Sequence, residues 1–106
     1  MYQLTDLIKK WCDNNNALSR TLELFWNCFE IYSNEDYEEY ITVFPDGKKN
    51  VITKFDKILY EIDLPDFSQE HIAITIDIYI CEEKVGWYKQ LYLLNGEPFD
   101  EYFVIE

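Results

Sequence analysis

The chain has 106 residues, of which 48% are hydrophobic and 18% aromatic, with only three glycines and three prolines. This composition excludes a disordered polar chain and predicts one compact domain over residues 1–106. The formal net charge is −12, and a surface this negative is repelled by phosphate backbones and by anionic headgroups. Direct binding to nucleic acid or to a membrane is therefore not expected.

The three cysteines, Cys12, Cys28 and Cys81, are widely spaced and form no C-x-x-C pair. An odd number of scattered cysteines is typical of reduced thiols in a cytoplasmic protein. Charged side chains interrupt the apolar positions of the first twelve residues, which argues against a signal peptide. No apolar run approaches the ~20 residues needed to cross a bilayer. The sequence therefore predicts a soluble, cytoplasmic protein.

The amino-terminal part of the chain is predicted to be helical. Leu4, Leu7 and Trp11 recur at helical spacing, which predicts an amphipathic helix over residues 3–12. The polar run 13–16 is expected to end it, because these side chains compete for backbone hydrogen bonds.

A second helix is predicted to begin at Ala17. The aromatic residues that follow favour strands, so we expect the chain to become extended near Phe25–Phe29 and to turn at residues 33–36. Residues 1–30 are thus expected to be mainly helical and residues 31–106 mainly β.

Turn signals and strand patterns alternate in the rest of the chain. The Pro-Asp-Gly turn at Pro45–Lys49 predicts a hairpin between strands at 39–44 and 50–55. Alternating polarity predicts a further strand at 58–64, which is ended by Pro65.

Residues 71–81 carry the strongest strand signal, because isoleucine occupies every second position. The isoleucines are Ile72, Ile74, Ile76, Ile78 and Ile80, and they alternate with His71, Ala73, Thr75, Asp77, Tyr79 and Cys81. The β-branched face requires a dry partner surface, whereas the other face is polar enough to meet water or a ligand. We therefore predict the central strand of a sheet that is covered on one side.

The last segment predicts two more strands and the fold class. A turn at 82–86 leads to a strand at 87–94, Asn95-Gly96 predicts a tight hairpin turn, and a last strand is expected at 99–105. The predicted fold is α+β: an antiparallel sheet of five or six strands, built as a meander of hairpins, with one or two amino-terminal helices packed on one face.

No arrangement of residues predicts catalysis. His71 is the only histidine, and Cys81 lies about 33 Å farther along the same predicted strand, so the two cannot act as base and nucleophile there. A zinc site built from these two residues with Cys12 and Cys28 lacks the closely spaced ligand pairs of such sites. We therefore expect no enzyme, no metal and no cofactor.

A remote alternative is a metal-dependent nuclease. Pro65-Asp66 and Glu82-Glu83-Lys84 match the Pro-Asp and Glu-x-Lys elements of such sites, in which carboxylates hold Mg²⁺ and a lysine positions the attacking water. This alternative requires Asp66, Glu82 and Lys84 to converge. The net charge of −12 opposes it, because DNA would be repelled.

The negative charge is segregated as well as large. Five acidic residues lie from Glu30 to Glu39 and seven more from Ile58 to Glu83, and neither stretch contains Lys or Arg. Nine tyrosines are distributed along the chain, and tyrosine is enriched where proteins bind proteins. Together these features predict a docking surface for a basic partner.

The favoured function is a non-enzymatic inhibitor that neutralises a basic, nucleic-acid-binding protein by occupying its phosphate-binding surface. If that partner is a nuclease toxin, the chain is an immunity protein or antitoxin. If it is a nucleic-acid-processing defence effector, the chain is a phage-type anti-defence protein, such as an anti-CRISPR, that mimics nucleic acid. The predicted contact residues are Glu35, Asp36, Tyr37, Glu38, Glu39, Asp63, Asp66, Glu70, Asp77 and Tyr79. A monomer or a homodimer is expected.

The alternative function is a small-ligand-binding or scaffold module that uses the polar face of the strand at 71–81. Thr75, Asp77 and Tyr79 would form the floor of its pocket. This alternative predicts a concave, partly apolar pocket and acidic residues scattered over the outer surface.

Overall fold

The computed structural model describes residues 3–106, and Met1 and Tyr2 lie outside the described residues. Three helices are followed by four strands: α1 (Leu4–Asn15), α2 (Ala17–Glu35), α3 (Tyr37–Val43), β1 (Val51–Ile62), β2 (Glu70–Ile80), β3 (Glu83–Leu93) and β4 (Pro98–Ile105). The strands form one antiparallel sheet in the order β1-β2-β3-β4. The predicted α+β class is confirmed. None of the helices formed by residues 3–106 is both long enough and apolar enough to cross a membrane.

The helices cover one face of the sheet, and the isoleucine face of β2 lies against them. Ile72, Ile74, Ile76 and Ile78 are each at most 2% exposed. The buried helix-side residues that pack over them are Cys12, Ala17, Phe25, Phe29 and Phe44. Full burial of an apolar side chain of this size contributes about 1.5–3 kcal/mol. The prediction of a central strand in a sheet covered on one side is confirmed.

The second helix is longer than the sequence indicated. α2 continues without interruption to Glu35, so the prediction of an extended segment near Phe25–Phe29 is wrong. Phe25, Phe29 and Tyr32 are three or four residues apart, and all three contact the same core cluster. A helix brings residues at this spacing to one face, whereas a strand would separate them. Packing of these rings outweighs their intrinsic preference for strands.

The strand expected at 39–44 is a helix, α3. Tyr40 and Phe44 are one helical turn apart, and their ring centroids lie 5.6 and 5.0 Å from that of Phe29. The Pro45–Lys49 turn therefore joins a helix to β1 instead of joining two strands, and the hairpin prediction is wrong. The helical part of the chain extends to the end of α3 and does not stop near residue 30.

The two strands expected at 50–55 and 58–64 are one strand, β1. Its pairing with β2 shifts between Phe55 and Lys57, which leaves Asp56 as a bulge. A bulge adds one residue to a strand and interrupts the alternation of polarity. Within residues 3–106 the sheet consequently has four strands and the helical layer three helices, which corrects the expected five or six strands and one or two helices.

The strands predicted at 71–81, 87–94 and 99–105 are confirmed as β2, β3 and β4. The turn expected at 82–86 is tighter than predicted and centres on Cys81 and Glu82, both of which have positive φ angles. β3 therefore begins at the very next residue.

Two hydrogen bonds fasten the helical layer to the β3–β4 turn. Trp11 Nε1 donates to the carbonyl of Leu94 at 2.8 Å, and Arg20 Nη1 donates to the carbonyl of Gly96 at 2.9 Å. Gly96 has a positive φ, and a Cβ at this position would collide with the Asn15 side chain. The connection between α1 and α2 is thereby held at the end of the sheet where β3 ends.

Ile76→Asp should unfold the protein. Ile76 is fully buried, and an unpaired carboxylate there costs about 4 kcal/mol or more, comparable with the whole stability of a small domain. Ile52→Asp is the matched control, because Ile52 is 52% exposed on the edge strand β1. Circular dichroism during urea titration measures both. A wild-type unfolding midpoint for Ile76→Asp would show that this face of β2 is not in the core.

Candidate functional site

The acidic residues predicted around position 35 meet at the junction of α2 and α3. Glu35, Asp36, Tyr37, Glu38 and Glu39 are all exposed, and they line a shallow depression of about 460 Å³. These five residues are called the α2–α3 acidic surface below. None of the ion pairs formed within residues 3–106 involves one of its carboxylates. Its negative charge is therefore not compensated by the described part of the chain.

A carboxylate has opposite effects on helix stability at the two helix ends of this junction. Glu38 and Glu39 lie in the first turn of α3, where a negative charge stabilises the helix by about 0.3–1 kcal/mol. Glu35 is the last residue of α2, whose last turn has no basic residue. A carboxylate there opposes the helix dipole and destabilises α2 by a similar amount. Helix stability therefore explains why positions 38 and 39 hold acidic residues, but it does not explain why Glu35 is acidic.

A hydrogen bond ties the acidic surface to the core. Tyr32 Oη donates to Glu39 Oε1 at 3.0 Å, and the Tyr32 ring packs edge-on against Tyr40 and Phe44. Burial, followed by this hydrogen bond and the charge of Glu39, raises the pKa of Tyr32. The phenol therefore keeps its proton and holds the Glu39 carboxylate in a defined position.

Asp63, Asp66 and Glu70 lie at the opposite end of the sheet. The first two belong to the loop that precedes β2, and Glu70 begins the strand. Phe44, which follows α3, packs in the cluster that contains Ile78, near the other end of β2. The two acidic groups are separated by most of the length of β2, about 30 Å. The predicted contact residues therefore do not form one continuous surface.

Local bonds restrain this second acidic group. Glu70 Oε2 accepts a hydrogen bond from Tyr60 Oη at 2.7 Å, and Asp66 Oδ1 accepts one from the Ser68 amide at 3.1 Å. The bond to Glu70 is the main reason that the pKa of Tyr60 is raised. Asp66 thus has a partner within its own loop, and Glu70 has one on the neighbouring strand β1.

Asp77 and Tyr79 lie on a third surface, the open face, which is the sheet face turned away from the helices. Asp77 Oδ1 is 3.3 Å from Lys84 Nζ, and the hydrogen bond between them is the main reason that the pKa of Lys84 is raised. Lys54 Nζ lies 4.8 Å from the centre of the Tyr79 ring. Both predicted contact residues already have a cationic neighbour, so neither adds to an uncompensated negative surface.

Ion pairs are concentrated on the open face. Each of the five ion pairs within residues 3–106 includes Lys57, His71, Lys84 or Lys89. Basic and acidic side chains alternate around Lys57, Lys84 and Lys89, so this part of the open face largely neutralises itself. The contrast with the α2–α3 acidic surface shows that charge is segregated between surfaces as well as along the sequence.

The residues of the nuclease alternative are far apart. Asp66 precedes β2 and Glu82 follows it, which places them about 33 Å from each other. Lys84 contacts Asp77 and Glu106 instead. Within residues 3–106, no three His, Cys, Asp or Glu side chains are grouped closely enough to share a metal ion.

Thr75 and Asp77, two of the three floor residues expected by the ligand-binding alternative, line one cleft on the open face, whereas Tyr79 does not. Another cleft on this face was not predicted from the sequence. It encloses about 430 Å³, and its lining residues are Glu61, Asp63, Gln69, His71, Trp87, Lys89, Leu91, Phe99, Asp100 and Tyr102. Alternation within each strand indicates which residues share a face. The missing information was the pairing register, which sets Lys89 opposite both Thr75 and Tyr102.

Comparison of the chain with protein-family models, curated proteins and solved structures finds no significant match. Its function is therefore inferred from its own geometry and charge.

Cys81 should be the thiol that reacts fastest with Ellman's reagent in the folded protein. Cys81 is exposed and Cys12 is buried, and burial raises the pKa of Cys12. Burial, followed by the neighbouring Glu101 carboxylate, raises the pKa of Cys28 to about 12. The thiolate is the reactive form, so at pH 8 these two thiols should react slowly until urea unfolds the protein. A fast phase that survives Cys81→Ser would contradict this order.

Proposed function

We propose that this protein is a non-enzymatic inhibitor that binds a basic, nucleic-acid-binding protein through the α2–α3 acidic surface. Its carboxylates occupy the positions where the partner would hold phosphate groups. Binding then blocks access of nucleic acid without any chemical step.

The observation that carries the proposal is the density of uncompensated charge at the helix junction. Four carboxylates occur within five consecutive exposed residues, 35–39. They lie where α2 ends and α3 begins, at and on both sides of the non-helical Asp36. The junction therefore presents a basic protein with several negative charges close together, as a nucleic-acid backbone does.

The positions of the basic residues favour the same conclusion. Lys57, Lys84 and Lys89 each lie within 3.7 Å of a carboxylate on the open face. Lys48 lies over the Trp26 ring at 5.5 Å from its centre. Since these cations are engaged elsewhere, the field of the α2–α3 acidic surface extends into solvent and accelerates the approach of a positive partner.

Exposed apolar side chains supply contact area beside this charge. Tyr37, within the acidic surface, is 60% exposed, and Ile31, one helical turn before Glu35, is 55% exposed. Tyrosine is a frequent energetic anchor in protein interfaces, whereas surface charge mainly sets the association rate. Tyr37 is therefore the residue we expect to slow dissociation.

The same electrostatic attraction to a basic partner operates in two biological settings. The partner is either a nuclease toxin, for which the chain acts as immunity protein or antitoxin, or a nucleic-acid-processing defence effector, for which it acts as an anti-defence mimic. Capture from a lysate of the source organism on the immobilised protein, at low and at high salt, identifies the partner. The nuclease or nucleic-acid-binding activity of that partner then shows which setting applies.

Charge reversal at the junction should slow association with the captured partner. The variant Glu35→Lys, Asp36→Lys, Glu38→Lys leaves the Tyr32–Glu39 hydrogen bond intact. We expect its association rate at about 50 mM salt to fall by about 100-fold, and its salt dependence to decrease, because long-range attraction is lost. Surface plasmon resonance at several salt concentrations measures both quantities.

The matched control is Asp6→Lys, Asp13→Lys, Glu23→Lys, which changes the net charge equally at exposed positions of α1 and α2. A third variant, reversed at Asp63, Asp66 and Glu70, measures the contribution of the opposite end. Equal slowing by all three variants would mean that net charge alone attracts the partner. An association rate that is indifferent to salt and to reversal at 35–38 would eliminate the proposal.

A further inference from the structure

The cleft on the open face is walled by aromatic rings. Trp87 of β3 and the β4 residues Phe99 and Tyr102 line it together with Leu91. Its volume of about 430 Å³ falls within the range of small-ligand sites. Aromatic walls offer both apolar contact and ring faces that attract cations.

Carboxylates outnumber cations around this cleft. Glu61, Asp63 and Asp100 line it, with Lys89 as its only lysine or arginine. Lys89 Nζ is 3.4 Å from Glu61 Oε1, so this cation is already paired. Neither Asp63 nor Asp100 takes part in an ion pair within residues 3–106. The cleft consequently has two carboxylates available to a positive ligand.

The raised pKa of Tyr102, which lines the cleft, reflects the negative potential there. The charge of Asp100 and a hydrogen bond to it, followed by burial and the charge of Glu61, raise the pKa of Tyr102. Asp100 Oδ1 also accepts a hydrogen bond from the Glu101 amide at 2.8 Å, which orients the carboxylate. Two strands thus direct their carboxylates toward one ring.

His71 is a second, independent sign of a site. It lines the cleft and is only 6% exposed, and its Nε2 lies 3.2 Å from Glu61 Oε1. Its ring meets the edge of Phe99 at a centroid distance of 5.6 Å. Its Nδ1 is the one buried side-chain nitrogen or oxygen in residues 3–106 without a hydrogen-bond partner. Such exceptions are rare in folded proteins, and each has a cause such as strain, a functional role, or a bound water or ion.

We propose that this cleft binds a small organic cation, an ammonium or guanidinium group on a short apolar stem. The charged group faces the Asp63 and Asp100 carboxylates, and the stem lies against Phe99, Tyr102 and Trp87. Charge-assisted hydrogen bonds and cation–π attraction supply the affinity. Glu61, held by His71 and Lys89, adds to the negative potential. This inference is independent of the inhibitor function, because the cleft and the α2–α3 acidic surface lie on different sides of the molecule.

A neighbouring cleft on the open face differs in charge and serves as a comparison for the preference for a cation. It encloses about 350 Å³ and shares Trp87 and Lys89 with the first cleft. Its Lys84 is 3.3 Å from Asp77 and its Lys57 is 3.7 Å from Asp56, and with Lys89 its three lysines outnumber its two carboxylates. Preference for a cation is therefore expected on the Asp63 and Asp100 side only.

Titration with agmatine, which carries a guanidinium and an ammonium on a four-carbon stem, tests the proposal. Isothermal calorimetry should show one saturable site with a dissociation constant below about 1 mM. In ¹⁵N spectra the indole N–H signal of Trp87 should shift, while those of Trp11 and Trp26 stay in place. Absence of saturable binding, or equal shifts of all three indoles, would overturn the proposal.

Asp63→Asn and Asp100→Asn keep the shape of each side chain and remove its charge. Each should weaken agmatine binding about tenfold, because a charge-assisted bond becomes a neutral one. Asp36→Asn is the matched control and should change nothing, since Asp36 lies on the α2–α3 acidic surface. Equal weakening by all three variants would mean that agmatine responds to net charge and would refute the site.

Two further ligands test whether the cleft requires a positive charge and whether it takes a small molecule or a peptide. N-butylurea, which has a similar stem and no charge, should not bind, whereas binding as tight as that of agmatine would exclude a cation site. The capped peptide acetyl-Gly-Arg-Gly-amide should bind more weakly than agmatine because its backbone does not fit the cleft. Tighter binding of the peptide would identify a protein-contact surface and overturn the small-ligand assignment.

Discussion

Burial of the isoleucine face of β2 beneath the aromatic face of α2 is the contact on which the rest of the structure depends. Ile76 and Ile78 meet Phe25 and Phe29 in the main core cluster. This contact fixes the direction of α2 along the sheet and the position of the α3 rings that pack on Phe29. Each sheet face then has a different environment, because helices are available to cover only one of them.

Polar groups on the open face form their hydrogen bonds and ion pairs with other groups of that face. Thr75 is nearly buried there, and its hydroxyl group contacts the Lys57 amide at 3.1 Å and the Asp56 carboxylate at 3.3 Å. Alternation of lysines with carboxylates compensates much of this face, but Asp63 and Asp100 in the aromatic-walled cleft have no ion-pair partner within residues 3–106. The carboxylates of the helix junction also lack ion-pair partners there. Both candidate sites are thus consequences of a sheet that is covered on one side.

The parts of the fold that could be predicted were those encoded locally. The alternation at 71–81 and the Asn95-Gly96 pair each specify their structure within a few residues, and both predictions agree with β2 and the β3–β4 turn. Residues 25–44 were mispredicted because aromatic side chains suit either a helix or a strand. Their helical conformation is decided by contacts with β2 and β3, which no local pattern reveals.

The same distinction applies to the candidate sites. Glu35, Asp36, Glu38 and Glu39 are contiguous in the sequence, so their clustering could be predicted from it. Their separation from the 63–70 group depends on the direction of α2 relative to β2, which is a property of the packed fold. The cleft depends on the register of three strand pairings. A one-residue slip would place a different set of side chains around it.

Glu35 is the acidic residue of the helix junction whose position helix stability does not explain. The carboxyl end of a helix carries about half a negative charge, and α2 ends at Glu35 without a basic residue in its last turn. The carboxyl end of α2 therefore places its partial negative charge beside Glu35, whereas the amino end of α3 attracts Glu38 and Glu39. A protein acidic only for solubility gains nothing from this position, since first helical turns accept carboxylates with a gain in stability. A carboxylate kept at Glu35, where it weakens the helix, is the arrangement expected of the surface we propose, which attracts a positive partner.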